Sequence, residues 1–381
     1  MEFDFFMPAR ILSGEGCVRK NAGRLRGLGA RAFIVTGRRA ARLSGALDDV
    51  TAALGEQGIA WAHFDGMGEN PLVSLAAQAG AQARAFGADF IIGIGGGSAL
   101  DGARAACVFA ANEFAEPADI YGGAFTAALP LVCIGTTAGT GSEADGVSVL
   151  TNDATGVKKS LGKDFLYAKY VFCDPRYTCS MDYRQTVSTA LDALCHCLES
   201  WFSTAATEAS ATFARRGTAL IFPWLERLAE GSFEPGDMDM RESLYYGSLW
   251  GGFSINLVGT GFPHPMGYVL TEHTGLPHGA ACAVFERAFL EHSLPERPQA
   301  REELLHIAGS ETHLYGVLGA LTKNDLRLSQ AMCDEIGARL RTASNTKRAL
   351  GDFSPAKGQA MAERLFLDPN AAAPAAGGWR L

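Results

Sequence analysis

The chain is predicted to fold as an α/β domain over residues 1–182 followed by an all-α domain over residues 183–381. Three observations predict this. Short apolar runs closed by glycine alternate with segments of helical period through the first half. Strand signals stop near Tyr183, and helical period takes over. The length of 381 residues suits two domains, each with its own core.

Taken in order, Arg31–Gly37 (RAFIVTG) is a buried-strand signal, and residues 40–58 have helical spacing with a stop at Gly58. Residues 59–64 form a second strand candidate. A loop over 66–71 (GMGENP) leads into a helix that runs to about Phe86. Phe90–Ile94 is a third strand, and residues 95–111 begin as a glycine loop and continue as a helix. Leu129–Gly135 is a fourth strand, and the pace of alternation predicts a mostly parallel sheet. The turn-rich stretch Asp174–Asp182 marks the boundary. Beyond it, residues 187–203, 211–231, 301–309 and 326–343 have helical patterns, and the tail 371–378 is low in complexity.

Composition removes several functions. Hydrophobic residues make up 48% and charged residues 19%, which excludes intrinsic disorder. The net charge is −8 with no basic run, so neither nucleic acid nor a membrane surface is expected as a partner. No apolar run approaches the ~18–20 residues of a membrane span. The opening MEFDFFMPAR carries acids and lacks the pattern of a secretory leader. Nine cysteines without CxxC pairs fit reduced thiols in a cytoplasm.

Two loops and one histidine cluster carry chemistry. Gly95-Gly96-Gly97-Ser98 lies between a buried strand and a helix, where backbone N–H groups and the helix dipole suit a phosphate. The plain alternative is a tight turn capped by Ser98, with Asp101 completing a local hydrogen-bond box. Thr136–Glu143 (TTAGTGSE) follows the next strand, and its hydroxyls suit a ribose or nicotinamide.

Asp192 and His196 stand at i and i+4 on one helix face, a spacing that suits two ligands of one metal. Residues 264–278 contain His264, His273 and His278. A straight helix would part the first and last by ~20 Å. Pro265, Gly267, Gly275 and Pro277 are expected to break it and let His278 return. Asp192, His196, His264 and His278 then form a set suited to Fe(II) or Zn(II). Cys195, Cys197 and Cys282 are expected to be packing thiols.

Together these segments resemble the iron-containing (group III) alcohol dehydrogenase family. The motifs are GGGSALDGAR (95–104), TTAGTGSEAD (136–145), DALCHCLE (192–199) and GFPHPMGY…LPHG (261–279), with a similar opening, FDFFMPARILSGEGC. The resemblance implies a Rossmann-like dinucleotide-binding domain and a helical metal- and substrate-binding domain, the dehydroquinate-synthase-like architecture, with metal and substrate between them. It carries the metal ligands onto Asp192, His196, His264 and His278. It carries the pyrophosphate loop onto Gly95, Gly96, Gly97 and Ser98 with Asp101. Ribose and nicotinamide contacts fall on Thr136, Thr137, Thr140 and Lys158, and a further cofactor position on Asn70. A homo-oligomer, a dimer or larger, is implied as well.

Three departures refine the expectation. Tyr268 stands where many members have a histidine thought to relay protons, so Tyr268 or His273 becomes the candidate catalytic group. Arg104 replaces a usual lysine, with little consequence expected. After Thr36 the chain has Gly37, Arg38 and Arg39 where members preferring NAD have aspartate. This leaves room for a 2′-phosphate beside Arg38, Arg39 or Arg42 and favours NADP(H) over NAD(H). The expected reaction is metal-dependent hydride transfer between that cofactor and a small primary alcohol or aldehyde. The alternatives are a dehydrogenase for a phosphono- or carboxy-aldehyde, a non-redox dehydroquinate-synthase-like lyase, and a metal-free homologue.

Overall fold

A computed structural model of the protein describes residues 3–367, 379 and 381, and the low-complexity segment 371–378 lies outside them. The described chain separates into two compact units. One comprises Phe6–Ser180 with Gly236–Arg241, and the other holds the rest.

The first unit is built on a six-stranded parallel sheet. Its strands are β1 (Arg10–Ser13), β2 (Arg31–Thr36), β3 (Ala60–Phe64), β4 (Phe90–Gly95), β5 (Leu131–Gly135) and β8 (Tyr170–Cys173), in the order β1-β8-β5-β4-β2-β3. A separate antiparallel hairpin joins β6 (Val147–Thr151) to β7 (Lys158–Gly162). The helices are α1 (Cys17–Lys20), α2 (Gly23–Arg26), α3 (Ala40–Leu43), α4 (Ala46–Glu56), α5 (Val73–Phe86) and α6 (Gly97–Ala111).

Central strands β2, β4 and β5 are buried apart from Arg31, as a parallel sheet covered on both faces requires. On one face Ile34, Ile92, Ile94 and Val132 pack with Val50 and Leu54 of α4. A second core joins α5 and α6 to Leu150 and Leu161 of the hairpin. The helix expected over 40–58 is divided at Ser44–Gly45, because Gly45 takes a left-handed conformation (φ 80) that no continuous helix tolerates. The fourth strand begins at Leu131, after Pro130, rather than at Leu129.

The strand order locates the ligand crevice. From β2 the chain steps to β3 on one side, then to β4 and β5 on the other. Crossovers that part in this way open a crevice at the carboxyl ends of β2 and β4. Thr36 is in register with Ile94, so Gly37 and Gly95 flank that point.

The second unit contains, among the described residues, α7 (Tyr183–Trp201), α8 (Glu208–Ala229), α9 (Met238–Val258, whose start belongs to the first unit), α10 (Pro263–Thr274), α11 (His278–Ser293), α12 (Pro298–Ala308), α13 (Glu311–Leu321), α14 (Gln330–Thr342) and α15 (Pro355–Phe366). Asp182 caps α7 by accepting the Gln185 N–H at 2.8 Å. From Ala190 to Trp201 every residue of α7 is buried, with α8 and α11 packed against it. Asp192, His196 and Glu199 therefore lie inside the unit, where polar groups need partners.

The break expected between His264 and His278 is confined to Gly275–Pro277, where Gly275 is left-handed (φ 70). Pro265 and Gly267 do not break α10. Pro263 and Pro265 occupy its first turn, where backbone N–H groups have no helical acceptor to lose. Gly267 lies against α11, with Cys282 Sγ 2.6 Å from where a Cβ would stand.

Candidate functional site

Three helices converge in the second unit. Helix α7 supplies Asp192 and His196, α10 supplies His264 in its first turn, and α11 opens on His278. Asp192 Oδ1 lies 3.8 Å from His196 Nε2, 3.7 Å from His264 Nε2 and 3.9 Å from His278 Nε2. Ligand atoms around a tetrahedral metal with bonds of ~2.1 Å stand ~3.4 Å apart, so these three separations are a few tenths of an ångström longer. The donors that all lie within 4.8 Å of one another are those of Asp192, His264, His278 and Cys282, and His196 stands outside that group. The His196 and His264 rings stack at 4.7 Å, and His278 meets His264 edge-on at 5.5 Å. Asp192 and His264 are buried, whereas the His278 side chain is 29% exposed and marks the accessible side. Gly279 permits the approach of α11, since a Cβ there would overlap the Ser188 carbonyl oxygen and stand 2.8 Å from Asp192 Cβ.

His264 shows how the cage suits a cation. Its Nδ1 donates to Glu199 Oε1 at 2.6 Å, and Glu199 Oε2 accepts the Gly261 N–H at 2.6 Å. This fixes the tautomer and leaves the lone pair on Nε2, which is buried and has no hydrogen-bond partner among the described residues. Burial pushes the His264 pKa down, but Glu199 and Asp192 outweigh it and hold the ring above its ordinary value. Surroundings that favour positive charge on that ring also favour a divalent cation beside it. One carboxylate with three imidazoles fits iron or zinc.

Sequence reasoning missed two groups here. Glu199 lies within the quoted DALCHCLE motif, seven residues after Asp192, yet its partner His264 is 65 residues away. Cys282, taken as a packing thiol, lies 3.8 Å from both ring nitrogens of His278 and joins Asp192 and His264 in a group of donors within 4.8 Å. Behind them Cys195, Glu199 and Glu286 form a second buried group. Burial and then the Glu199 charge push Glu286 well above the carboxylate range, which favours its protonated form.

The two catalytic candidates part company. Tyr268, one turn after His264, lies parallel to the His278 ring at 5.1 Å and edge-on to His264 at 6.4 Å. His273 does not join the metal group. It is exposed and paired with Glu335 at 3.0 Å, beside an Arg339–Glu272 pair. Nine residues after His264 is two and a half turns, which places His273 on the opposite face of α10.

In the first unit the glycine and hydroxyl loops meet. A Cβ on Gly96 would stand 3.0 Å from the Thr137 side chain, and one on Gly97 would stand 2.9 Å from Thr140. The Thr136 N–H bonds Gly95 O at 2.9 Å. Helix α6 starts at Gly97 without a side-chain cap, so the N–H groups of Gly97 and Ser98 face its open end. The local capping box expected as the plain alternative is absent.

Asp101 instead accepts from Ser142 Oγ at 2.6 Å, Val149 N at 3.1 Å and Arg104 Nη1 at 3.2 Å, pinning the second loop to α6. Arg104 matters more than expected. Fully buried, it also donates to the carbonyls of Ser142 (2.6 Å), Asp145 (3.0 Å), Leu166 (3.3 Å) and Val147. A lysine has no fork with which to reach so many acceptors.

Lys158 and Asn70 are neighbours through the hairpin, since Lys158 pairs with Thr151, whose N–H bonds Pro71 O at 2.8 Å. Asn70 is the one non-glycine residue with positive φ (51) among those described, an uncommon conformation often kept at functional positions. Arg38 and Arg39 are exposed beside Gly37 at the end of β2.

Comparison with known proteins places the chain in a family. Residues 8–175 match the iron-containing alcohol dehydrogenase family, and residues 186–338 match the C-terminal domain of the Fe-containing alcohol dehydrogenase family. The chain is 32% identical over 305 residues to the sulfoacetaldehyde reductase of Bilophila wadsworthia, covering 78% of this chain and 77% of that one. It is 27% identical over 306 residues to NADH-dependent butanol dehydrogenase A of Clostridium acetobutylicum, covering 77% and 76%. An iron-containing alcohol dehydrogenase structure from Thermotoga maritima has a TM-score of 0.86 at 31% identity, covering 95% of this chain and 99% of that one. Among the described residues, no helix is long and apolar enough to cross a membrane.

Proposed function

This chain belongs to the iron-containing alcohol dehydrogenase family, and from that premise we propose that one metal ion is held by Asp192, His196, His264 and His278, with NADP(H) along the glycine and hydroxyl loops. The protein is an oxidoreductase acting on alcohol and aldehyde groups, with iron and a nicotinamide nucleotide as its cofactors. Nucleotide binding is assigned to residues 1–182 and metal and substrate binding to residues 183–381. The observation that carries the reading is the equal spacing of three imidazole Nε2 atoms about Asp192 Oδ1.

When bound, the metal supplies Lewis acidity toward the substrate oxygen and the nicotinamide gives or takes the hydride. The chain's own residues do the rest. Asp192 lowers the charge of the cage, and Glu199 keeps His264 in the tautomer that leaves Nε2 free to ligate. The open N–H groups of Gly97 and Ser98 orient the pyrophosphate. Tyr268, beside His264 and His278, delivers the proton that the product alcohol gains. Gly37 in place of an acidic residue, with Arg38, Arg39 and Arg42 following, supports NADP(H) over NAD(H).

The substrate is a small aldehyde in the reducing direction. Similarity to a sulfoacetaldehyde reductase supports including anionic aldehydes in that class. Nine free thiols support a cytoplasmic setting, and family membership supports a homo-oligomer, a dimer or larger. The test is aldehyde-dependent NADPH oxidation by protein reconstituted anaerobically with Fe(II), against neutral, carboxylated and sulfonated short aldehydes, with Zn(II) and NADH as controls. Turnover requiring both metal and aldehyde is expected. Bound metal and nucleotide without turnover on any aldehyde would contradict the reading.

A further inference from the structure

The corner after β2 holds a polar contact with no role so far. The Thr36 hydroxyl donates to Gly37 O at 2.8 Å and lies 2.9 Å from His63 Nε2. A hydroxyl has one proton, so with that proton on Gly37 O, His63 Nε2 is the donor in the second contact. The neutral ring then carries its lone pair on Nδ1. His63 is in register with Ile34 across β2 and β3, so it stands on the same sheet face as Ile34 and Thr36. It is half-buried, as an edge-strand residue bordering the crevice would be. Burial pushes its pKa down, Asp65 in the loop after β3 pulls it up, and Arg42 on α3 pushes it down again. Gly37 lies against the Met67 carbonyl, 3.1 Å from where a Cβ would stand, and brings no side chain into the corner.

An imidazole fixed through one nitrogen, an arginine in its field and a glycine where the strand ends make a corner suited to a phosphate on a ribose hydroxyl. We infer that His63 is a specificity-determining residue of the nucleotide site, recognising the 2′-phosphate of NADP(H) together with Arg42. The inference rests on the NADP(H) reading above and adds to it the residue that senses the phosphate. A phosphate beside Nδ1 favours the doubly protonated ring, so NADPH binding draws a proton from solvent. NADH, lacking that phosphate, draws none. Asp65, exposed in the loop after β3, also favours the charged ring.

The experiment compares the full-length, metal-loaded protein with its His63→Gln and Arg42→Gln variants. KM for NADPH and for NADH is measured in each. Binding calorimetry with both nucleotides, in two buffers of different ionisation enthalpy, reads the proton count. His63→Gln is expected to raise the ratio of KM for NADPH to KM for NADH about tenfold and to abolish proton uptake with NADPH. Arg42→Gln is expected to raise the ratio while reducing the uptake only in part. It keeps the test alive if the His63 variant does not fold. An unchanged ratio in a folded His63→Gln variant, an unchanged ratio in Arg42→Gln where the His63 variant does not fold, or equal proton uptake with both nucleotides, would overturn the assignment of His63. A wild-type protein that prefers NADH would instead overturn the NADP(H) reading, and the role of His63 with it.

Discussion

The two units build their proposed ligand faces from different materials. In the helical unit, imidazoles from three helices stand 3.7–3.9 Å from Asp192 Oδ1, and a carboxylate behind them fixes the tautomer of His264. In the sheet unit the ligand face is largely backbone. Gly95–Ser98 present amides, and the side chains of Thr137 and Thr140 fill the space beside Gly96 and Gly97. A face made of convergent side chains depends on each of them. A face made of backbone depends on the bracing beneath it, here Asp101, Arg104 and Ser142. The contrast predicts that substitutions in the first unit act on nucleotide affinity and stability, whereas those in the second act on metal and chemistry.

The sharpest break is His264→Ala. It removes a proposed ligand and leaves Glu199 buried without its imidazole partner. Metal content should fall to background and turnover by more than ~100-fold, beyond the loss typical of a residue outside the ligand set. NADPH affinity, read by fluorescence titration, should stay unchanged, because the two faces are built independently. Next comes Tyr268→Phe, expected to lower kcat by ~100-fold with metal content intact if the phenol moves the proton. A kcat equal to wild type would assign that proton to water.

Glu199→Gln tests the support behind the cage. Metal affinity, measured by competition with a chelator, should weaken by ~10–100-fold while kcat at saturating metal changes less. The smallest effect on catalysis belongs to the other unit. Arg104→Lys should cost about 1–3 kcal/mol of stability by leaving buried carbonyls unsatisfied. It should raise KM for the nucleotide and leave metal affinity alone, with the thermal midpoint and metal titration as readouts.

How much of this is legible in the sequence depends on how local each signal is. Strands such as Arg31–Thr36 and Phe90–Gly95 are continuous apolar runs closed by glycine, and the loop at Gly95–Ser98 follows directly. The hairpin β6–β7 is not legible. Lys158–Gly162 is mostly exposed, and Leu150 and Leu161 find their core on helices distant in sequence. The proposed ligand set comes from local patterns, the i, i+4 spacing and a clustered histidine segment. The path between His264 and His278 is only half legible, since the effect of Pro265 depends on its falling in the first turn of α10. His273 could have been set aside on helical phase alone. Glu199, Arg104 and His63 act through partners that only the folded chain brings near.

The ligand set itself is the central claim, and Cys282 makes it open to contradiction. X-ray absorption at the zinc edge of protein loaded with one equivalent of Zn(II) reads the ligand atoms directly. Asp192 with His196, His264 and His278 predicts nitrogen and oxygen neighbours alone, at about 2.0–2.2 Å, with the outer scattering of imidazole rings. A sulfur neighbour at about 2.3 Å would place the Cys282 thiolate in the ligand set and contradict the account.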